Sequence, residues 1–492
     1  MKVLKKSKEI LLVTAVLAAV ISAIGIYSLF DKNTEEYHSD AGPVFIKERH
    51  EWEYRRLADP KTGRIPADIK HRELAFVKTL PGAVKNLNKK DHKPLTTNWS
   101  ARGPVNVGGR TRALAIDIRN ENTLIAGAVS GGIWKSTDDG KTWQMKLEPD
   151  QLKSTSWLVQ DTREGKEDTW YMGTGEYFNV YGGLRGNGIY KSTDNGETWF
   201  LLESTVSNSP QSWNSFDYVW NIVIDHTNQE QDIVMAATSA GAIRRSTDGG
   251  ESWETVLGGF GNAYSWFTDI AISPSGVYYA ALSEKAFDLG GSQTRGIYRS
   301  EDGVNWTDIT PDIFPEKYNR IVIGIAPSNE NIVYFCGETP GTGKLTTNWR
   351  GDDLWHSFWK YTYLGEDGSG IYGEWEDRSQ NLPRPENIRL HFKSQGGYDL
   401  VIKVKPDDPE TVFVGGTTLY RSTDGFKTDE NINICGGYNP FPYDDRVDFY
   451  RYPAHHPDLH ALFFSYQDPD ILYSGSDGGI TKTLDCMADS VG

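Results

Sequence analysis

From Thr111 onward, short apolar runs alternate with polar, Gly-rich turns, and the alternation recurs along the rest of the chain. Each unit reads as an inner apolar strand, a second strand ending in small residues, a third strand closing on a polar turn, and an outer strand carrying Trp. The inner strands are predicted at Ala113 to Ile116, Trp157 to Val159, Ile222 to Ile224, Ile270 to Ile272, Ile321 to Ile325, Leu400 to Val404 and Leu459 to Phe464. The turn aspartates Asp138, Asp194, Asp248, Asp302, Asp424 and Asp485 set the period, at spacings of 56, 54, 54, 122 and 61 residues. Because 122 is two units of 61, one unit without the turn motif lies between Asp302 and Asp424. It shows as Asn331 to Phe335, Phe358 to Leu364, a tip at Glu366 to Gly370, and Trp375 on the outer strand.

The turns share one chemistry. The first runs Ser136-Thr137-Asp138-Asp139-Gly140-Lys141-Thr142-Trp143, and Ser192, Asp194, Gly196 and Trp199, then Ser246, Asp248, Gly250 and Trp253, hold the same positions in the next two copies. Looser copies begin at Ser300, Ser422 and Thr483. Ser and Asp can cap the backbone of a tight hairpin, Gly accepts positive φ, and Trp packs between neighbouring sheets, so these residues read as staples. The S-x-D-x-G-x-T-W pattern resembles the Asp-box, or BNR, repeat of sialidases, sortilin-type receptors and some glycoside hydrolases. That resemblance implies a β-propeller. With Gly103 to Arg110 and the GGIWKSTDDGKTW run that follows, the chain is similar to exported, sortilin-like or "glycosyl hydrolase" BNR proteins of bacteria.

Seven units make the expected fold class all-β: a seven-bladed propeller of four-stranded antiparallel blades over residues 93–492. The last unit lacks an outer strand. The segment Asn98-Trp99-Ser100 is expected to supply it and close the ring, since Trp99 precedes Arg112 by 13 residues much as Trp306 precedes Arg320 by 14.

Upstream of the repeats, Lys2, Lys5, Lys6 and Lys8 precede an uncharged run from Ile10 to Phe30. That run would span roughly 31 Å as a helix, so residues 1–30 read as a cleaved signal peptide or a single-helix membrane anchor that places the rest outside the cytoplasm. Residues 31–92 read as a polar spacer with short helices at Glu48 to Leu57 and Ile69 to Leu80. A net charge of -16 repels phosphate backbones and argues against a nucleic-acid partner. Cys336, Cys435 and Cys486 have neither zinc nor CxxC spacing and allow one bridge at most.

In a four-stranded blade the box turns share a face with the first turns, so ligands are expected on the opposite face. The connections after strand two are long there at Glu176 to Asn187, Ser283 to Arg295 and Glu338 to His356. Arg112, Asn221, Asp269, Arg320, Asp399 and His460 fall at or near inner-strand starts, with Arg110 close by, and would ring the channel mouth. Such a ring could hold a carboxylated sugar and supply paired carboxyls, with Asp269 and Asp399 the catalytic candidates, or could simply solvate a channel. Tyr177, Trp349 and Trp355 on the long loops could stack on sugar rings. Sialidases of the resembling group use three arginines, an Asp acid and a Tyr backed by Glu; two or three arginines can be placed here and no Tyr/Glu pair stands out. His456, Asp458 and His460 alternate along an extended segment as weak metal candidates; no metal or cofactor is expected. The expected function is binding of an extracellular glycan or protein on the face opposite the boxes, with glycoside hydrolysis at the mouth as the alternative.

Overall fold

A computed structural model describes residues 51–79, apart from 53 and 67–68, and residues 108–488, apart from 149–150, 152–153, 177–183, 208–213, 240, 260–266, 284–293, 349, 366–372 and 439–454. The expected leader and the proposed closing strand at Trp99 lie outside the described residues, as do Tyr177 and Trp349. Contacts divide the chain into two compact units, residues 1–73 and 74–492. In the first, residues 51–52 and 54–57 are helical and Asp59 Oδ1 caps the following turn, accepting from the amides of Lys61 and Thr62. A second helix, Ile69–Thr79, crosses the division. Among the described residues no helix is long and apolar enough to cross a membrane.

The second unit is a seven-bladed, all-β propeller of antiparallel sheets. Its inner strands are Thr111–Ile116, Thr155–Gln160, Val219–Ile224, Thr268–Ile272, Ile321–Ile325, Val401–Lys405 and Leu459–Phe464, in agreement with the apolar runs read from the sequence. Five sheets have four strands, one has five, and the seventh shows three among the described residues. The sequence did not predict the fifth strand of blade five. Lys344–Thr347, read as part of a surface loop, pairs with an extension of the 11-residue strand Asp353–Tyr363. Lys344–Thr347 and residues 353–356 therefore form a β-ribbon.

The turns hold themselves by the chemistry their residues allow. Ser136 Oγ accepts from the amide of Gly140 at 2.9 Å and donates to Asp138 Oδ1 at 2.8 Å. Asp138 accepts from the amide and hydroxyl of Thr142 at 2.8 and 2.7 Å, and Gly140 sits at φ +77°. The same bonds recur at Ser192/Asp194 and Ser246/Asp248. These bonds hold the Asp138 and Asp248 carboxyls down to about 2. Trp199 packs with Ile125 and Tyr190 between blades one and two, and Trp253 with Tyr171 and Ile222 between blades two and three. Burying an aromatic of this size contributes several kcal/mol to each seam.

Blade seven meets blade one through side chains. Tyr473 Oη donates to Asp139 at 2.8 Å, Lys482 pairs with the same carboxylate, and Ser465 Oγ donates to Glu121 at 2.6 Å. Gly108 runs against Gly478 and Gly479, where an added Cβ would lie 2.8 Å from the Cα of Gly479.

Candidate functional site

On the face away from the boxes, two kinds of position converge. Arg112, Arg320, Asp399 and His460 come from the starts of inner strands; Glu176 and Asp477 follow second strands. Antiparallel pairing places a strand's start beside its partner's end, which is why sequence-distant groups meet here.

Tyr398 lies at the centre, 6% exposed. Its hydroxyl bonds to the Glu176 carboxylate and accepts from Arg110 Nη1 at 2.8 Å. The Arg112 guanidinium stacks 4.6 Å from the Tyr398 ring centroid, and Arg112 and Arg320 donate to the Tyr398 carbonyl at 3.2 and 3.1 Å. Arg110 forks onto Asp477, Nε to Oδ1 at 2.7 Å and Nη2 to Oδ2 at 2.9 Å. His460 Nε2 lies 2.7 Å from Asp477 Oδ1, while Arg112 Nη1 approaches His460 Nδ1 at 3.2 Å. Arg112 has only protons to offer, so the consistent tautomer is a neutral His460 donating from Nε2. Burial agrees, pushing His460 down to about 4.

Three carboxyls at this mouth take different charge states. Burial holds the Asp399 proton well above the usual carboxylate range; its Oδ2 accepts from Gln395 at 2.6 Å, and its Oδ1, 3.8 Å from His460 Nδ1, has no hydrogen-bond partner among the described residues. Gln395 also donates to Asp458 Oδ1 at 3.0 Å, so one amide nitrogen bridges two carboxyls. Asp458 is raised to about 6, first by burial and then by the charge of Asp477. Asp477 is itself buried enough to rise, but bonds from His460 and Arg110 outweigh burial and keep it below its ordinary value. Asp458 and Asp477 are spatial neighbours, the Asp477 amide donating to the Asp458 carbonyl at 3.1 Å. Gln395 and Asp458 both hold positive φ, +48° and +67°, a cost that non-glycine residues bear where surrounding structure over-determines them.

Of the residues singled out in the sequence, Arg110, Arg112, Arg320, Asp399 and His460 are brought together. Asn221 and Asp269 form a separate pair at 2.6 Å, and Asp269 also accepts from the amides of Ile270 and Ile323. Trp355 is half-buried on the blade-five ribbon, opposite Leu345. His456, Asp458 and His460 do not converge. The strand starts only at Leu459 and Asp458 is left-handed, so the period-two alternation fails; His460 reaches Asp477, Asp458 reaches Gln395, and His456 Nδ1 lies 2.8 Å from the Pro457 carbonyl. Among the described residues no group of three His, Cys, Asp or Glu is placed to hold a metal, and the cysteines are free.

Sequence reasoning missed Glu176, Tyr398, Gln395 and Asp477. A signal for two of them was present: Thr174-Gly175-Glu176, Cys336-Gly337-Glu338 and Gly475-Ser476-Asp477 each set an acid at the end of a second strand. Gly175 is required there. At φ +93°, an added Cβ would sit 2.1 Å from the Asp217 carbonyl oxygen. Gly175→Ala is expected to destabilise the chain by about 2 kcal/mol or more in urea unfolding, since backbone must move on both sides.

The fold and mouth define a class, a seven-bladed propeller whose mouth combines carboxyls with arginines. No protein-family model matches the chain. It is 27% identical over 224 residues to the xyloglucanase Xgh74A of Acetivibrio thermocellus, covering 41% of this chain and 25% of that protein. The chain thus spans about a quarter of the length of the curated relative it matches. Its fold is similar to the crystal structure of an ancestral GH74 enzyme, with a TM-score of 0.50 at 17% identity over 78% of this chain and 45% of that one. The propeller therefore carries weak homology to xyloglucanases of the GH74 kind.

Proposed function

We propose that this chain is an exported, carbohydrate-acting propeller of glycoside-hydrolase type, working on a β-glucan such as xyloglucan at the face opposite the box turns. The observation that carries this reading is a pair of neighbouring carboxyls in opposite states: Asp458 raised to about 6 and Asp477 held ionised by Arg110 and His460. Glycoside cleavage needs one carboxyl to protonate the leaving oxygen and another, charged, to act as base or nucleophile. Asp458 would be the acid and Asp477 its partner, with Arg110 fixing the latter's orientation. Asp399, fully buried behind Gln395, would position Asp458. The turn motifs support kinship with Asp-box proteins, and the charged-then-apolar start supports export.

A second reading is glycan binding without turnover. It is favoured by the pairing of Asp477, which the Arg110 fork and His460 already occupy at 2.7 to 2.9 Å. Sugar release from xyloglucan, other β-glucans and sialosides separates the two. The first reading expects oligosaccharides from a β-glucan; binding by calorimetry with no release from any of them would establish the second.

The pH profile adds a check. With Asp458 raised to about 6 and acting as acid, release is expected to fall as pH rises through about 6, while the low-pH limb stays below the ordinary carboxylate range because Asp477 is depressed. A flat profile between pH 5 and 8 would remove Asp458 from the acid role.

A further inference from the structure

The inner strands enclose a cavity of about 520 Å³ along the propeller axis, within the size range of small-molecule sites. Its walls are mostly apolar, with Val159, Ile222, Ile323 and Leu462 among many branched aliphatics, beside the uncharged polar groups of Gln160, Thr162, Asn221, His226 and His460. In a chain of net charge -16, no Asp or Glu lines it. Two cations do: Arg112 at the mouth end and Lys403 midway along its strand.

Lys403 has no hydrogen-bond or ion-pair partner among the described residues. Its ammonium instead lies 5.8 Å from the Phe463 ring centroid. Lys403 is half-buried, its ammonium facing the cavity, whereas other buried or half-buried lysines are satisfied. Lys135 reaches Glu197, Lys191 the Gly249 carbonyl, Lys360 Glu410, Lys393 the Ile388 and Arg389 carbonyls, and Lys405 Asp407 and Asp470. An unpaired ammonium against aliphatic walls is costly, and the cost is relieved by an anion whose body also fills apolar space. Burial accordingly lowers the Lys403 amine from its ordinary value.

We infer that the axial cavity is a binding site for an amphipathic organic carboxylate, its carboxylate on Lys403 and its hydrocarbon body along the aliphatic walls. The cavity adjoins the carboxyl mouth and shares Arg112 and His460 with it, but the anion is assigned to Lys403, so either assignment can fail without the other.

Decanoate is a suitable probe of the full chain, with decanol as its uncharged control. Calorimetry is expected to show one decanoate per chain, bound at least tenfold more tightly than decanol, with the preference lost in Lys403→Met. Without ligand, Lys403→Met is expected to melt above the parent, because it removes an unpaired charge. Should that variant fail to fold, reductive methylation of the parent chain read by peptide mass supplies the test, with decanoate expected to protect Lys403. Failure of decanoate to bind, equal binding by Lys403→Met, or undiminished methylation in its presence would each overturn the assignment.

Discussion

Replacing Asp477 with Asn is expected to lower sugar release by roughly 10²–10⁴-fold with little change in melting temperature. The amide keeps the shape and can still accept from His460 Nε2 at the 2.7 Å contact, but it has no charge to serve as base or nucleophile and leaves Arg110 without its carboxylate fork. Asp458→Asn is expected to fall comparably and also to lose the decline near pH 6, since the titrating proton is gone. Activity surviving both substitutions within a few-fold would show that the mouth carboxyls do not perform the chemistry.

Arg163→Ala is expected to destabilise the propeller by about 3–5 kcal/mol, measured as the shift in urea unfolding free energy. The Arg163 and Asp161 side chains are 2% and 3% exposed, paired through two nitrogens at 2.9 and 2.5 Å. The same guanidinium also crosses to blade three, donating to the carbonyls of Asn228 and Gln231 and to Asp232 at 2.8 to 2.9 Å. Truncation would leave the buried Asp161 carboxylate with only the residue-163 amide as donor and without its counter-charge, and two carbonyls without the guanidinium. Arg163→Met restores volume but not charge, so its loss should stay close to that of alanine; a loss below about 1 kcal/mol for both would place the pair in solvent.

The architecture was legible because it is written seven times over. Each unit repeats an apolar inner strand and, after its third strand, a turn whose Ser, Asp and Gly have one geometric use, and even the unit lacking that turn kept its spacing. The extra strand Lys344–Thr347 was not legible, since Gly341-Thr342-Gly343 reads as loop and pairing depends on how far Asp353–Tyr363 extends. At the mouth, strand starts gave Arg112, Arg320, Asp399 and His460. Tyr398 and Gln395 stand just upstream of a strand, where periodicity says nothing. Gln395 and Asp458 are both left-handed, a conformation that no alternation rule anticipates.

The box turns do more than reverse the chain. Asn195 in the second donates to Asp117 of blade one and takes the Lys135 amine on its carbonyl, and Gly249 in the third is gripped by Tyr171 and Lys191 of blade two. At the seam Asp139 of the first box receives Tyr473 and Lys482 of the last blade. These three turns are thus clasps on the sheet before each, and the one at Asp139 joins the last blade to the first. The hydroxyl-and-ammonium grip on Asp139 joins the two ends of the strand series as the other clasps join consecutive blades, so groups from blade one and blade seven, Arg110 and Asp477, meet at the mouth across that seam.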